Sequence, residues 1–147
     1  MLRSIALGAV AGMRAMTPFA VVASAARKNE LGTGGTLPRL MSSPLVSAGA
    51  LALAVGEMAG DKMKTAPDRI VTIGMIARPA TGALAGATAA PQEKRVLGAL
   101  LGATAAVAAS YITFHLRMAA LRRYGQTATG AIEDAIALGG AALAARV

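Results

Sequence analysis

Five apolar segments, separated by short polar or glycine-rich links, dominate the sequence. None shows the strict alternation of a half-buried strand, and about 20 helical residues suffice to cross a bilayer. The pattern therefore predicts an all-α membrane bundle of about five transmembrane helices, forming one domain over residues 1–147. The predicted helices cover residues 4–26, 44–61, 70–90, 96–117 and 129–145.

The links are short enough to make neighbouring helices antiparallel. Residues 28–43 are predicted to form a polar loop, and residues 121–130 to join the last two helices. The second and fifth segments are short, so tilted, half-buried or re-entrant arrangements stay open for them. The first segment is predicted to be a retained helix rather than a cleaved signal peptide, because Arg14 interrupts its apolar run.

Composition and charge support the membrane prediction. Apolar residues make up 55% of the chain and charged residues 15%, compared with about 25% charged residues in a typical soluble domain. The net charge is +8, but the basic residues flank apolar runs and aromatic residues make up only 3%. We therefore expect a lipid environment, a multi-pass membrane location and no nucleic-acid partner.

Two features of topology stay open. Five crossings would put Arg3 and Arg27 on opposite sides, and the basic residues would divide almost evenly, so orientation is undecided. The stretch GMRAMTP at 12–18 faintly resembles GMIARPATG at 74–82, which is compatible with a weak inverted repeat.

Arg14 is the first candidate functional residue, because a charge near the middle of an apolar helix is costly and needs a counter-charge or water. Thr17 lies on the same helix face, and Pro18 cannot donate to the carbonyl near residue 14. A local helix break there would suit a solute or anion site. A structural ion pair that locks two helices is the alternative.

Acidic residues are the expected partners. Glu57 and Asp61 are four residues apart and share a face, which suits a proton relay or a cation site. Glu133 and Asp134 open the last segment, where carboxylates also favour a helix N-terminus. Arg78 precedes Pro79, so a kink or break is expected there. We predict that Arg14 pairs with Glu57 or Glu133 and that Arg78 pairs with the other.

Pairs of glycines four residues apart predict close helix packing, within the chain or between two copies. The pairs are Gly8 and Gly12, Gly56 and Gly60, Gly82 and Gly86, and Gly98 and Gly102.

Several blocks resemble a family of small bacterial integral membrane proteins known as DUF4126, a domain of unknown function. The blocks are GMRAMTP, GEMAGDK followed by PDR, AR with TGALAGA, and EDAIALGG. The resemblance implies a helical membrane protein and carries no established activity. Besides the candidates above, it directs attention to Lys62, Pro67, Asp68 and Arg69.

The favoured function is a homo-oligomeric transporter or channel for a small solute or ion in a bacterial cytoplasmic (inner) membrane. One bundle of five short helices leaves little room for a solute pathway, so a homodimer interface would supply it. The alternative is a structural or accessory subunit of a larger membrane complex. An enzyme is not expected, because the chain has no cysteine, one histidine and no compact metal motif. No catalytic residue, metal or cofactor is predicted.

Overall fold

The computed structural model describes residues 1–32, 34–60 and 72–146, and within these ranges the chain is all-helical with no strand. A single 3-10 turn, Gln92–Lys94, precedes the sixth α-helix. The α-helices are α1 (Leu2–Met13), α2 (Met16–Arg27), α3 (Thr36–Met41), α4 (Pro44–Gly60), α5 (Thr72–Ala89), α6 (Arg95–Tyr124) and α7 (Gln126–Arg146).

The first apolar segment forms a hairpin of two short helices. Arg14, between α1 and α2, has an extended backbone (φ −139°, ψ 115°). Arg3 Nη1 donates to the carbonyl of Leu31 over 2.9 Å, so the start of α1 lies beside the residues that follow α2. At 1.5 Å per residue, each 12-residue arm is only about 18 Å long. The prediction of one continuous helix over residues 4–26 is therefore wrong.

Proline explains where the hairpin turns. Pro18 is the third residue of α2, a position whose N–H has no partner within a helix, so its absence costs little there. If α1 had continued through this region, Pro18 would have left the carbonyl of Arg14 without its helical donor. Because the chain turns back, Arg3 lies at the same end of the bundle as Arg27, and the expectation of opposite sides is also wrong.

The remaining predicted helices form with changed bounds. α5 runs without interruption through Pro79, so the break expected after Arg78 is absent. The segment predicted as a loop over residues 28–43 contains α3, and most of residues 121–130 belong to α6 and α7. These two helices meet at Gly125, whose φ is +78°. The helix is interrupted within residues 12–18 and continuous through residues 74–82, which argues against a structural repeat.

Glycines bring α1, α5 and α6 together at the centre of the bundle. A Cβ on Gly82 would lie 2.7 Å from the carbonyl oxygen of Gly102, and a Cβ on Gly98 would lie 2.6 Å from that of Gly86. Gly8 faces Gly102, and Gly12 faces the backbone near Ser110. Ser4 Oγ and Ser110 Oγ add hydrogen bonds to the carbonyls of Gly86 (3.0 Å) and Gly12 (3.2 Å).

The distribution of side chains is the reverse of that in a water-soluble bundle. Of the 20 buried apolar residues in the described ranges, 15 are alanine. Many large apolar side chains are exposed instead, and they lie on α1 and on α3 to α7. Examples are Leu45 on α4, Ile76 on α5, Leu100 and Leu116 on α6, and Leu143 on α7.

Two helices have the length and apolar composition of a membrane span, Gln92–Tyr124 with 33 residues and Thr127–Arg146 with 20. α1 and α4 are apolar but shorter, at 12 and 17 residues. By length and composition alone, the structure therefore supports two of the five predicted spans.

Candidate functional site

A buried ion pair lies at the tip of the α1–α2 hairpin. Arg14 Nη2 is 2.6 Å from Asp134 Oδ1, and only 1% of the Arg14 side chain is exposed. The hairpin turn places Arg14, and the third turn of α7 places Asp134. Because removing two charges from water costs several kcal/mol per ion, the pair persists only when each charge compensates the other.

Glu57, near the end of α4, binds the backbone at the start of α2. Its Oε1 accepts the N–H of Ala15 and its Oε2 accepts the N–H of Met16, each over 2.9 Å. The first N–H groups of a helix lack partners within the helix and carry the positive end of its dipole. A carboxylate is therefore a favourable cap, and it attaches α4 to the hairpin tip.

Thr17 lies in the first turn of α2, beside the two amides that Glu57 accepts. Its side chain is 1% exposed, and its hydroxyl has no hydrogen-bond partner among the described residues. A buried hydroxyl without a partner costs roughly 1–3 kcal/mol. Thr17 therefore marks the hairpin tip as a place where a polar ligand or a water would gain a hydrogen bond.

A second ion pair joins α6 to α7. Arg117 Nη1 donates to Glu133 Oε2 over 2.7 Å, and both side chains are largely buried. A cleft of about 150 Å³ opens between the two helices at this pair, and Met13 and Ile136 also line it. Met13 is the last residue of α1 before Arg14, so the cleft touches the end of α1. We call Arg14, Asp134, Arg117 and Glu133 the charge cluster.

The observed contacts differ from the predicted ion pairs. Glu57 binds two backbone amides instead of Arg14, because the broken helix exposes those amides. Arg14 pairs with Asp134, which is next to the predicted Glu133 and on the same helix. Arg78 is half-buried on α5, and its carbonyl accepts a hydrogen bond from Thr81. Asp61 lies outside the described residues.

The residues quoted for the family resemblance fall into two groups. Arg14, Glu57, Glu133 and Asp134 come together around the hairpin tip and α7, as described above. Lys62, Pro67, Asp68 and Arg69 lie outside the described residues.

The glycine pair on α4 is the exception among the predicted packing residues. A Cβ on Gly56 or Gly60 would meet nothing within 4 Å in the part of the chain that the structure describes. Among the described residues, no close helix contact forms at these positions, in contrast to the glycines of α1, α5 and α6.

Arg117 is a member of the charge cluster that the sequence reasoning missed. The signal lay in the α6–α7 hairpin, since Arg117 and Glu133 are each eight residues from Gly125. Two antiparallel helices that meet at Gly125 bring such positions to the same level. The prediction that residues 121–130 only join the last two helices did not extend the helices far enough to show that Arg117 and Glu133 lie at the same level.

The charge cluster and the Glu57 cap bring two cationic side chains, three carboxylates and two helix amides into one region. A small anion could replace Asp134 beside Arg14 or Glu57 at the α2 amides, and a cation could compete for the carboxylate of Asp134. Within residues 1–32, 34–60 and 72–146, no three acidic, histidine or cysteine side chains form a group able to hold a metal ion.

The cap on α2 gives a first prediction. Replacing Glu57 with alanine is expected to lower the free energy of unfolding by about 0.5–2 kcal/mol, the usual cost of losing an N-terminal cap. Glu57→Gln keeps one acceptor oxygen and should lose less. Unfolding in mild detergent, followed by circular dichroism, measures both. Glu93→Ala, an exposed carboxylate in the 3-10 turn, is the control, and equal effects at both sites would contradict the cap.

Comparison with known proteins gives one match. No curated protein and no solved structure matches the chain. The family model described as domain of unknown function DUF4126 matches residues 1–147. The chain therefore belongs to the DUF4126 family.

Proposed function

We propose that this protein is a small multi-pass membrane protein of the bacterial cytoplasmic membrane that transports or conducts a small solute or ion. The observation that carries the proposal is the buried Arg14–Asp134 pair at the tip of a helical hairpin, inside a bundle with an apolar exterior. Intramembrane charges at interrupted helices are a frequent way to build solute and ion sites.

Three features support a pathway through this region. The cleft between α6 and α7 reaches the Arg117–Glu133 pair from the surface. Thr17 offers a hydroxyl at the hairpin tip. The partners of Arg14 and of the α2 amides are carboxylates, which a passing anion or a proton can displace. Opening of the Arg14–Asp134 pair would then expose one charge of each sign to the solute.

Transport requires the charges, whereas folding requires only a well-packed interior. Arg14→Met/Asp134→Leu removes both charges and fills the site with apolar side chains, of which methionine is close to arginine in volume and leucine is larger than aspartate. Replacement of a buried ion pair by apolar side chains often leaves stability unchanged or improves it. We expect the double variant to fold and to abolish flux in liposomes. Proton, chloride, sodium and potassium gradients, read with entrapped dyes, are the probes. The wild type should exceed empty liposomes for at least one of them.

The control keeps the charge cluster intact. Glu93→Gln and Arg122→Gln change exposed charges at the two ends of the bundle and should leave flux at the wild-type level. A double variant that folds and transports as well as the wild type would assign the pair a structural role and overturn the proposal.

A second candidate function is an accessory subunit of a larger membrane complex, favoured by the outer face of α4. Leu45, Leu51 and Val55 are exposed there, and no described residue would lie within 4 Å of a Cβ on Gly56, which would permit a close approach by another helix. The same face would suit a second copy of the chain, which the transport proposal favours. Native mass spectrometry from lipid nanodiscs separates the two, since a homodimer supports self-contained transport and a stoichiometric complex with other chains supports the accessory role.

A further inference from the structure

A pocket of about 400 Å³ lies at the end of the bundle where α2 leads into α3, far from the charge cluster along the chain. Its lining includes Asn29, Leu31 and Gly35, which lie between these helices, together with Arg39 and Ser42. The volume falls within the usual range for small-ligand sites, roughly 300–1,000 Å³.

Two arginines from other helices hold the pocket wall in place. Arg3 on α1 donates to the carbonyl of Leu31 over 2.9 Å, and Arg95 at the start of α6 donates to the carbonyl of Gly34. The guanidinium of Arg95 also lies against Gly35, where a Cβ would come within 2.7 Å of Nη2. Because Arg3 on α1 and Arg95 on α6 both bind backbone carbonyls of this wall, the pocket belongs to the packed end of the bundle.

This end of the bundle carries more basic than acidic side chains. Arg39 lines the pocket with an exposed side chain that has no hydrogen-bond or ion-pair partner among the residues the structure describes. Asn29, Gly32 and Gly35 have positive φ values of 58°, 62° and 106°, so the backbone turns at each of these three lining residues. The basic residues at this end are Arg3, Arg27, Lys28, Arg39, Lys94, Arg95 and Arg146, against the acidic Glu30 and Glu93.

We propose that this pocket binds a phosphate group, supplied by an anionic lipid headgroup or by free phosphate. Arg39 provides the direct contact, since a guanidinium matches phosphate oxygens with two parallel donors. Arg3 and Arg95 hold the wall and add positive potential. The inference is independent of transport, because the pocket shares no residue with the charge cluster or with the hairpin tip.

The experiment uses the full chain in nanodiscs with two probes. One probe is phosphatidylglycerol in a phosphatidylcholine bilayer, with retained lipid counted by native mass spectrometry. The other is inorganic phosphate, titrated calorimetrically against the protein in phosphatidylcholine alone. Retention of phosphatidylglycerol without binding of inorganic phosphate identifies a lipid headgroup, and binding of inorganic phosphate identifies free phosphate as a sufficient ligand.

Two matched variants test the assignment to this pocket. Arg39→Gln should weaken binding of the responding probe by about tenfold, as expected for loss of a hydrogen bond between charged groups. Lys94→Gln removes the same charge at the same end but outside the pocket wall, and it should stay within about twofold of wild type. Binding of neither probe, or equal weakening by the two variants, would overturn the proposal.

Discussion

Arg14→Met is expected to lower the free energy of unfolding by about 3–5 kcal/mol, because it leaves the carboxylate of Asp134 buried without its counter-charge. The Arg14 side chain is 1% exposed and lies 2.6 Å from Asp134, so water cannot replace the lost guanidinium without opening the bundle. Chemical unfolding in mild detergent, followed by circular dichroism, measures the loss. Asp134→Leu should be similarly damaging, since it leaves the guanidinium of Arg14 buried.

The double variant separates this cost from a general packing defect. Arg14→Met/Asp134→Leu should recover most of the stability that either single change removes, because no unpaired charge remains. Arg122→Met, an exposed change of the same type at the end of α6, should leave unfolding unchanged. If the double variant were as unstable as the sum of the two single variants, the measured loss would come from packing rather than from the ion pair.

The apolar segments correctly predict that the fold is helical. They do not predict that the first segment turns back on itself. Residues 4–26 contain enough apolar side chains for one span, and the length criterion alone favours a continuous helix. Pro18 and Arg14 together indicated a local break, which the structure has. Whether the chain continues or turns back after such a break depends on tertiary contacts, here the bond from Arg3 to the carbonyl of Leu31.

The sequence predicts which residues are candidates for the site better than it predicts their partners. The costs of burial identify Arg14, Glu57, Glu133 and Asp134 from the sequence alone. The sequence predicts an arginine as the partner of Glu57, because a sequence shows which side chains are charged but not which backbone amides lack a partner. In the structure, the partners of Glu57 are the backbone amides of Ala15 and Met16. Those donors become available only when the helix is broken. Partner choice therefore follows from the backbone path, which the apolar pattern does not encode.

The central glycines also depend on partners that the sequence does not specify. Gly102 and Gly56 both belong to glycine pairs with the same spacing. In the structure, Gly102 lies against Gly8, Gly82 and Gly86, whereas a Cβ on Gly56 would meet no described residue within 4 Å. Glycine spacing identifies helix faces that permit close approach, and only the fold decides which of these faces are used. The two classes should respond to substitution in opposite ways.

Gly102→Ala is expected to lower the free energy of unfolding by about 3 kcal/mol, at the upper end of the usual cost of overpacking. Its Cβ would lie 3.0 Å from the carbonyl carbon of Gly82 and 3.2 Å from the Cα of Gly86, so backbone must move on two helices. Gly139→Ala is the matched control, since a Cβ there meets nothing within 4 Å in the described residues. It should raise stability by about 0.5–1 kcal/mol, because alanine favours the helix over glycine. Thermal unfolding of both variants in detergent measures the contrast, and a neutral Gly102→Ala would mean that α1, α5 and α6 do not meet at Gly102.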